Sequence, residues 1–311
     1  MKANESKKVL IMSTSTILVL GATGTIGSKT LRELQSFGDS RVLAAVRSQA
    51  KAQNLIEQGI ETVELDLDRP ETLLPALQGV DRALLLTGYS VDMLRQSKRF
   101  LDAAKLAGVQ HIVHIGASGA ETNEVAHWGW HQYVEAYIEQ KGFSYTHLRP
   151  EAFMQNITGP AYRWLEKDTI HHYVGNARWS WVDADDLALV AAYALREPEK
   201  YKGQIIPLGY DAKTFDEIAN IFSEVTGQAF YAQAHAPEEF LQNAINAGAD
   251  VAYMTCVYNQ FKLNIAGAIP NADATYNNFE AITGHKPTTW RAFAQKHRQL
   301  IEYPTIVNTA G

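Results

Sequence analysis

Three glycines at a spacing of three residues, Gly21, Gly24 and Gly27, stand between a short apolar run at 17–20 and an amphipathic stretch at 28–37. Strand, glycine turn and helix in this order are the context of a dinucleotide site, because a turn without side chains lets a pyrophosphate approach the backbone. The helix that follows offers unpaired N–H groups and the positive end of its dipole. The alternative is a tight strand–helix turn that binds no ligand.

Arg47 indicates which dinucleotide this turn would hold. It ends the second predicted strand, at 41–46, and Lys51 follows one helical turn later. In a Rossmann unit this strand end faces the adenosine ribose, where a carboxylate holds the 2′-hydroxyl of NAD and an arginine accepts the 2′-phosphate of NADP. The strand carries no carboxylate, so the sequence favours NADP(H) bound by the Arg47 guanidinium. The alternative is a solvated surface arginine. Asp66 and Leu67, after the third predicted strand, would lie beside the adenine.

Alternating strands and helices must position these residues. Apolar or alternating strand-like runs occur at 17–20, 41–46, 61–67, 81–86, 111–115 and 144–148. Helical periodicity connects them at 28–37, 49–58, 70–77, 91–107 and 127–140. This alternation predicts an α/β fold with a doubly wound, parallel, Rossmann-type sheet.

The regular alternation stops after Pro150. The sequence predicts a helix at 153–165, a hairpin of strands 169–174 and 178–182 around Gly175-Asn176, a helix at 183–195 and a strand at 204–208. Thr214 and Glu217 form a capping-box pattern at the start of a helix that runs to residue 225. The remainder is predicted to be mostly helical, ending in a helix from Thr288 or Thr289 to residue 301.

We therefore expect residues 1–14 to be a loose tail and residues 15–150 to form the NADP-binding Rossmann domain, with 178–208 returning to it. Residues 151–311 would form a smaller, mostly helical lobe that walls a pocket over the strand ends, where open parallel sheets bind ligands.

Bulk properties favour a cytoplasmic protein that acts on small molecules. The chain has 311 residues and a net charge of −6, which argues against a nucleic-acid surface. Its single cysteine excludes an internal disulfide and a cysteine metal cluster. No apolar run reaches the length of a membrane span or a signal-peptide core. We expect no nucleic-acid partner, no membrane association, and a monomer or homodimer.

Several of these segments together resemble a known family. The turn GATGTIG, the strand end at 46–47 and the segments 131–156 and 181–188 are similar to the NmrA-like group of atypical short-chain dehydrogenases/reductases. Glu135, Arg149-Pro150 and the pair Asp183/Asp186 carry much of this resemblance, which extends over nearly the whole chain. The similarity is strongest to the branch that includes quinone oxidoreductases and triphenylmethane reductases. The group also contains NADP-sensing regulators without catalytic activity.

The resemblance implies a cofactor site built from the glycine turn and the strand ends. Its expected members are Gly21, Thr23, Gly24, Thr25, Ile26, Gly27, Arg47, Lys51, Asp66, Leu67, Thr87, Gly88, Ala117, His131, Pro150 and Phe153.

It also reveals a missing catalytic pair. Typical members of the superfamily carry Tyr-x-x-x-Lys on the helix after the fifth strand, and the register from Glu135 places His127 and His131 at these two positions. The usual serine corresponds to Gly116 or Ala117, with Ser118 one step further. We therefore expect His131 to hold the nicotinamide ribose, and His127 or His131 to donate a proton near neutral pH. Ser118 is the third catalytic candidate.

An aromatic or carbonyl substrate is suggested by flat apolar side chains near the expected nicotinamide end. The expected pocket residues are Tyr89, Trp128, Trp130, Phe153, Met154 and Asn156. For the two tryptophans a core position is an equal alternative, and Asn156 could instead cap a turn. Glu151 is a further candidate for substrate contact. His127 and His131 share a helix face, yet the sequence shows no third ligand, so we predict no metal site.

Two functions from different classes follow. The first is an NADPH-dependent oxidoreductase that transfers hydride to a quinone-like or other conjugated aromatic or carbonyl acceptor. The second is a non-catalytic NADP(H) sensor that acts through a protein partner. A reductase or isomerising enzyme of a biosynthetic pathway is a third possibility.

Overall fold

The strands form one large sheet and two small ones in the computed structural model, which describes residues 15–119, 125–159 and 164–302. The expected tail at 1–14 lies outside the described residues. In chain order the strands are β1 (Thr16–Val19), β2 (Arg41–Val46), β3 (Glu61–Glu64), β4 (Arg82–Leu85), β5 (His111–Ile115), β6 (Ser144–Pro150), β7 (Ala152–Phe153), β8 (Leu165–Glu166), β9 (Thr169–His172), β10 (Trp179–Val182), β11 (Gln204–Leu208), β12 (Asp211–Lys213) and β13 (Tyr231–Ala234).

The helices connect these strands and make up most of the C-terminal part. They are α1 (Thr25–Phe37), α2 (Gln49–Glu57), α3 (Pro70–Leu77), α4 (Met93–Ala107), α5 (Ala126–Gln140), α6 (Gln155–Thr158), α7 (Ala184–Arg196), α8 (Pro198–Tyr201), α9 (Phe215–Thr226), α10 (Pro237–Asn246), α11 (Val251–Ile265), α12 (Phe279–Thr283), α13 (Trp290–Lys296) and α14 (Arg298–Glu302). Within the described residues, none of these helices is both long and apolar enough to cross a membrane.

The large sheet has seven parallel strands in the order β11-β6-β5-β4-β1-β2-β3. Alternate residues of β1 enter two different cores: Ile17 and Val19 pack with α1 and α7, whereas Leu18 packs with α3, α4 and α5. Both faces are therefore covered by helices, as near-continuous apolar strands require. The predicted Rossmann-type α/β fold is confirmed.

Tertiary pairing overrides two predictions in the second half. The predicted helix at 153–165 is wrong, because Phe153 ends β7, which pairs in parallel with β10, and the described residues between β7 and β8 contain a single short helix, α6. The predicted hairpin is also wrong. Strand β9 pairs with β8 and β13, whereas β10 pairs with β7 and β12, so the two strands belong to different sheets. A local turn signal cannot determine which strand edges other parts of the chain will occupy.

Other signals in this half agree with the structure. Thr214 and Glu217 form the capping box of α9, with Thr214 Oγ1 accepting from the Glu217 N–H and Glu217 Oε2 accepting from the Thr214 N–H. Thr289, rather than Thr288, caps the last helical region, and that region is divided into α13 and α14 at His297. Strand β11 pairs with β6 at the edge of the large sheet, whereas β10 lies in a small sheet.

Buried histidines are a prominent feature of the core. The structure buries His111, His114, His127, His131, His147 and His172. Burial lowers the pKa of His111, His131 and His172 to about 4 and that of His127 and His147 to about 3, and it lowers the pKa of His114 well below its usual value. At neutral pH these imidazoles are uncharged, which the apolar surroundings favour.

Lowering the pH from 7 to 5 should therefore destabilise the protein. Below the unfolded-state pKa of about 6.5 the unfolded chain binds protons that the folded histidines do not, at a cost of roughly 2 kcal/mol for each neutral imidazole at pH 5. Glu151 and Asp186 oppose this, because burial raises their pKa values to about 7 and about 6, but they are fewer. The denaturant midpoint at pH 5 should lie below that at pH 7, and equal midpoints would contradict this account.

Candidate functional site

The glycine turn brings the N-terminus of α1 against the end of β1. Gly21 adopts a φ of +63°, which favours glycine, and the Gly24 N–H donates to its carbonyl oxygen at 2.8 Å. Gly24 is the N-cap of α1, no side chain caps this helix, and its first turn carries no acidic residue. The N–H groups at the start of α1 are therefore available to an anion.

Gly24 and Gly27 are needed for different physical reasons. A Cβ on Gly27 would lie 2.2 Å from the Gly21 carbonyl oxygen and 2.8 Å from that of Leu20, so only glycine permits this close contact between helix and strand. A Cβ on Gly24 would lie 3.3 Å from the Gly21 oxygen, which a small adjustment can accommodate. Thr23, Gly24 and Thr25 are exposed. Gly27 thus serves the fold, and Gly24 leaves an open approach to the turn.

The expected adenosine-side residues lie at the same edge of the sheet. Arg47 directly follows β2 and is exposed, and Asp66 and Leu67 follow β3 and are partly buried. Because β1, β2 and β3 are parallel neighbours, their carboxyl ends meet beside the glycine turn. The side chain of Lys51 lies outside the described part of the chain.

A cavity of about 870 Å³ continues from this turn along the carboxyl ends of β4, β5 and β6. Helix α11 and the segment 269–276 close it from the other side. Of the residues expected at the site, those that line this cavity are Ile26, Thr87, Gly88, Tyr89, Ala117, Ser118, His127, Trp128, His131, Pro150, Glu151, Phe153 and Asn156.

Two expected pocket residues do not line the cavity. The side chain of Met154 is fully buried in the core of the smaller lobe, because its N–H pairs with the Val182 carbonyl oxygen and turns the chain inward. Trp130 packs between core clusters, with its ring centroid 6.3 Å from that of Tyr253. Trp130 is half-buried, and its packing agrees with the core alternative.

The far wall of the cavity comes from residues that the sequence did not single out. They include Trp164, Trp179, Ser180, Tyr253, Gln260, Phe261, Asn264 and Tyr276. Most of them lie about a hundred residues or more beyond the strand ends in the chain, and no local motif marks them. Within the described residues, His127 Nδ1, Trp179 Nε1 and Ser180 Oγ are buried without a hydrogen-bond partner. Such unsatisfied polar atoms beside a cavity are consistent with a ligand that is not present here.

His127 and His131 both line the cavity but are not suited to donate a proton near neutral pH. Burial lowers the pKa of His127 to about 3 and that of His131 to about 4. These lowered pKa values disfavour a histidine acid at neutral pH. A neutral imidazole can still hydrogen-bond to a hydroxyl group. On its buried side, His131 Nδ1 lies 3.4 Å from His114 Nε2.

The motif residues Glu135 and Arg149 form an ion pair in which Glu135 is buried and Arg149, partly exposed, lines the cavity. Both oxygens of Glu135 accept from Arg149, one of them at 3.1 Å from Nε. His114, Glu135 and His147 present ligand atoms within 4.8 Å of one another, which is a spacing suitable for a metal ion. However, the arginine already neutralises this carboxylate and would repel a cation, so the arrangement favours an ion pair beside neutral imidazoles.

The other acidic motif residues serve the backbone. Asp183 caps α7 by accepting from the Asp185 N–H at 3.1 Å. Asp186 accepts from the N–H and hydroxyl of Thr288 at 2.7 and 2.9 Å. These carboxylates fasten the start of α7 to the C-terminal region and do not line the cavity.

Ser118 is paired with a carboxyl group inside the cavity. Its N–H donates to the Pro150 carbonyl oxygen at 2.8 Å, which places the loop after β5 beside the end of β6. Its hydroxyl donates to Glu151 Oε1. Burial raises the pKa of Glu151 to about 7, and the hydrogen bond from Ser118 opposes this shift. The site thus contains a buried carboxyl group whose pKa is raised.

Comparison with known proteins places this geometry in context. Residues 13–294 match the model of a family described as NmrA-like. An NAD(P)H azoreductase from Xenophilus azovorans is 31% identical over 287 residues, which make up 90% of this chain and 97% of the azoreductase.

Two solved structures share the fold over similar lengths. The Citrobacter sp. triphenylmethane reductase complexed with NADP(H) has a TM-score of 0.76 and 28% identity, covering 90% of this chain and 99% of its own. An NADPH-dependent quinone oxidoreductase from Escherichia coli, complexed with NADPH, has a TM-score of 0.77 and 25% identity, covering 91% and 99%.

Proposed function

The chain belongs to the NmrA-like family, and from this premise we propose that it reduces a quinone-like, azo or other conjugated aromatic or carbonyl acceptor with NADPH. The broader assignment to the NAD(P)-dependent oxidoreductases is confirmed by the three relatives described above, which are named reductases or oxidoreductases, two of them crystallised with NADP(H) or NADPH. The nature of the acceptor is the part that we propose.

The residues present fit a phosphorylated dinucleotide. The uncapped N-terminus of α1 and the exposed Gly24 suit a pyrophosphate, and Arg47 has no acidic neighbour on β2 that would repel a 2′-phosphate. His131 stands where typical members of the superfamily carry the lysine, and it would hydrogen-bond the nicotinamide ribose. When bound, the reduced nicotinamide supplies the hydride.

The observation that carries the proposal is the composition of the cavity beside this turn. Its volume of about 870 Å³ exceeds what a nicotinamide alone requires, and rings from both lobes line it. Tyr89, Trp128, Trp164, Trp179, Tyr253 and Phe261 provide flat apolar surfaces. Such walls exclude water and orient a planar aromatic acceptor against the cofactor.

Steady-state NADPH oxidation with naphthoquinones, azo dyes and simple aldehydes tests the proposal. We expect turnover with the conjugated acceptors and far less with aliphatic aldehydes, because the site lacks the Tyr-x-x-x-Lys pair that typical members of the superfamily use for ordinary carbonyl chemistry. Tight binding of NADP⁺ without turnover of any acceptor would refute the enzyme and favour the NADP(H) sensor.

Exchanging Arg47 for glutamate should change cofactor selectivity. Loss of a charge-assisted contact with the 2′-phosphate, with repulsion added, should weaken NADPH binding by about 3 kcal/mol, or roughly 100-fold. NADH has no such phosphate and should be affected little. Fluorescence titration with both cofactors provides the measurement. The control is Arg32→Glu, an exposed arginine on α1. An equal loss for NADPH and NADH in the Arg47 variant would contradict the assignment.

The two glycines of the turn should respond differently to alanine. Gly24→Ala should fold normally and bind NADPH at least about tenfold more weakly, because its methyl group projects from the turn that the phosphates would approach. Gly27→Ala should instead lower the thermal midpoint, since its Cβ would collide with the Gly21 carbonyl oxygen. Calorimetric unfolding and NADPH titration of both variants separate the effects. Unchanged NADPH affinity in a folded Gly24→Ala protein would exclude the turn from the cofactor site.

A further inference from the structure

We propose that Glu151 is a catalytic acid that gives the acceptor its proton, and that Ser118 positions the carboxyl group for this transfer. The inference rests on the proposed reductase function and extends it to the proton donor. It requires an acid in the cavity that is protonated at working pH and held in one place.

Hydrogen bonds from neighbouring strand ends hold Glu151 in the cavity. Its N–H donates to the Leu208 carbonyl oxygen of β11 at 2.8 Å, and the Pro150 carbonyl oxygen accepts from the Ser118 N–H. The Ser118 hydroxyl then donates to Glu151 Oε1. Both residues line the cavity. The carboxyl group is thus located where adjacent parallel strands end, which is where such sheets bind ligands.

A glycine on the next strand end makes room for this side chain. A Cβ on Gly209 would lie 2.6 Å from Glu151 Cγ and 2.3 Å from Ser180 Oγ. The absence of that atom lets Glu151 and Ser180 pack against the backbone after β11. The side chain therefore occupies a formed niche with a restricted orientation.

The other titratable groups around the cavity are less suitable donors. His127 and His131 on α5 are neutral at pH 7, and Arg149 on β6 is paired with Glu135. Tyr89, after β4, is largely exposed. Burial raises the pKa of Tyr276, and the negative charge of Glu151 raises it further. Among the described residues that line the cavity, Glu151 is the one with a carboxyl group.

The protonation state also suits the task. A pKa of about 7 keeps about half of the carboxyl groups protonated at neutral pH, which is the range in which general acids operate well. Burial is the main cause of the shift, since it disfavours the carboxylate. The Ser118 hydroxyl opposes it by stabilising the carboxylate.

The transfer balances for a quinone. As the acceptor gains the hydride, the O–H bond of the Glu151 carboxyl breaks and an O–H bond forms on the carbonyl oxygen of the acceptor. The acceptor has then gained two electrons and two hydrogens, the first as hydride and the second as a proton. Glu151 is left as a carboxylate and recovers a proton from solvent water. A cationic triphenylmethane dye differs, because hydride addition to its central carbon yields a neutral product without a proton.

This difference between acceptors provides the test. Glu151→Gln keeps the shape of the side chain and can still accept from Ser118, but it cannot give up a proton. With saturating NADPH, its kcat for a naphthoquinone should fall by about 100-fold or more, whereas its kcat for a cationic triphenylmethane dye should stay within about twofold of the wild-type value. Glu280→Gln, at an exposed position on α12, is the matched control and should leave both rates unchanged.

The pH dependence gives a readout that a structural role would not change. Wild-type kcat for the quinone should decline above about pH 7, where Glu151 loses its proton, and this limb should be absent from the profile of Glu151→Gln. Ser118→Ala removes a hydrogen bond to the carboxylate, so the pKa of Glu151 should rise and the limb should move to higher pH. If the wild type does not reduce the dye, the pH profiles measured with the quinone are sufficient to test the role of Glu151.

A measurement without cofactor or substrate completes the design. Carbon-13 NMR of glutamate-labelled protein should show one carboxyl resonance that titrates near pH 7 and is missing from Glu151→Gln. Titration of that group near its usual value of about 4.3 would overturn the proposal. The proposal would also be overturned if the Glu151→Gln variant reduced the quinone with the wild-type rate and pH profile. Equal loss of quinone and dye turnover in this variant would overturn it as well. A wild-type protein that reduces no acceptor would instead overturn the proposed function, and this inference with it.

Discussion

The contact on which the site depends is the close approach of α1 to the end of β1. The backbone at Gly27 is so close to the Gly21 carbonyl that a single methyl group would reduce the separation to 2.2 Å. Because β1 lies between β2 and β4 within the large sheet, this contact aims the N-terminus of α1 at the edge where the parallel strands end. The anion-binding end of the helix and the cavity therefore share one edge of the sheet.

The charged motif residues hold elements of the fold together, and we assign them no reactive role. Arg149 and Glu135 join β6 to α5, while Asp183 and Asp186 organise the start of α7 and its contact with Thr288. An ion pair that is partly buried in this way contributes little net stability compared with apolar packing, but breaking it leaves an unpaired charge. These contacts account for the residue types found at these positions of the chain.

Burial shifts the pKa values of histidines and carboxyl groups in opposite directions, because it favours the uncharged form of both. It removes the charge from the histidines, whose pKa values fall, and it also favours the uncharged form of Glu151, whose pKa rises to about 7. The same effect raises the pKa of Asp186 to about 6, but both of its oxygens accept hydrogen bonds from Thr288. The surroundings, and not the pKa alone, distinguish a structural carboxyl from one that faces a cavity. The aromatic rings that line part of the cavity suit a planar aromatic ligand.

The order of strands and helices through Pro150, the glycine turn and the position of Arg47 could be read from the sequence, because each depends on local periodicity or on a short motif. The same holds for the capping box at Thr214. The pairing of β9 and β10, the inward turn of Met154 and the core position of Trp130 depended on contacts made by distant segments, which no local pattern encodes. The far wall of the cavity and the hydrogen bond between Ser118 and Glu151 arose only when α11 and neighbouring strand ends met. Local sequence thus predicted where phosphates and a dinucleotide would be bound. Long-range packing decided the shape of the cavity and which of its titratable groups are buried, because burial is a property of the folded whole.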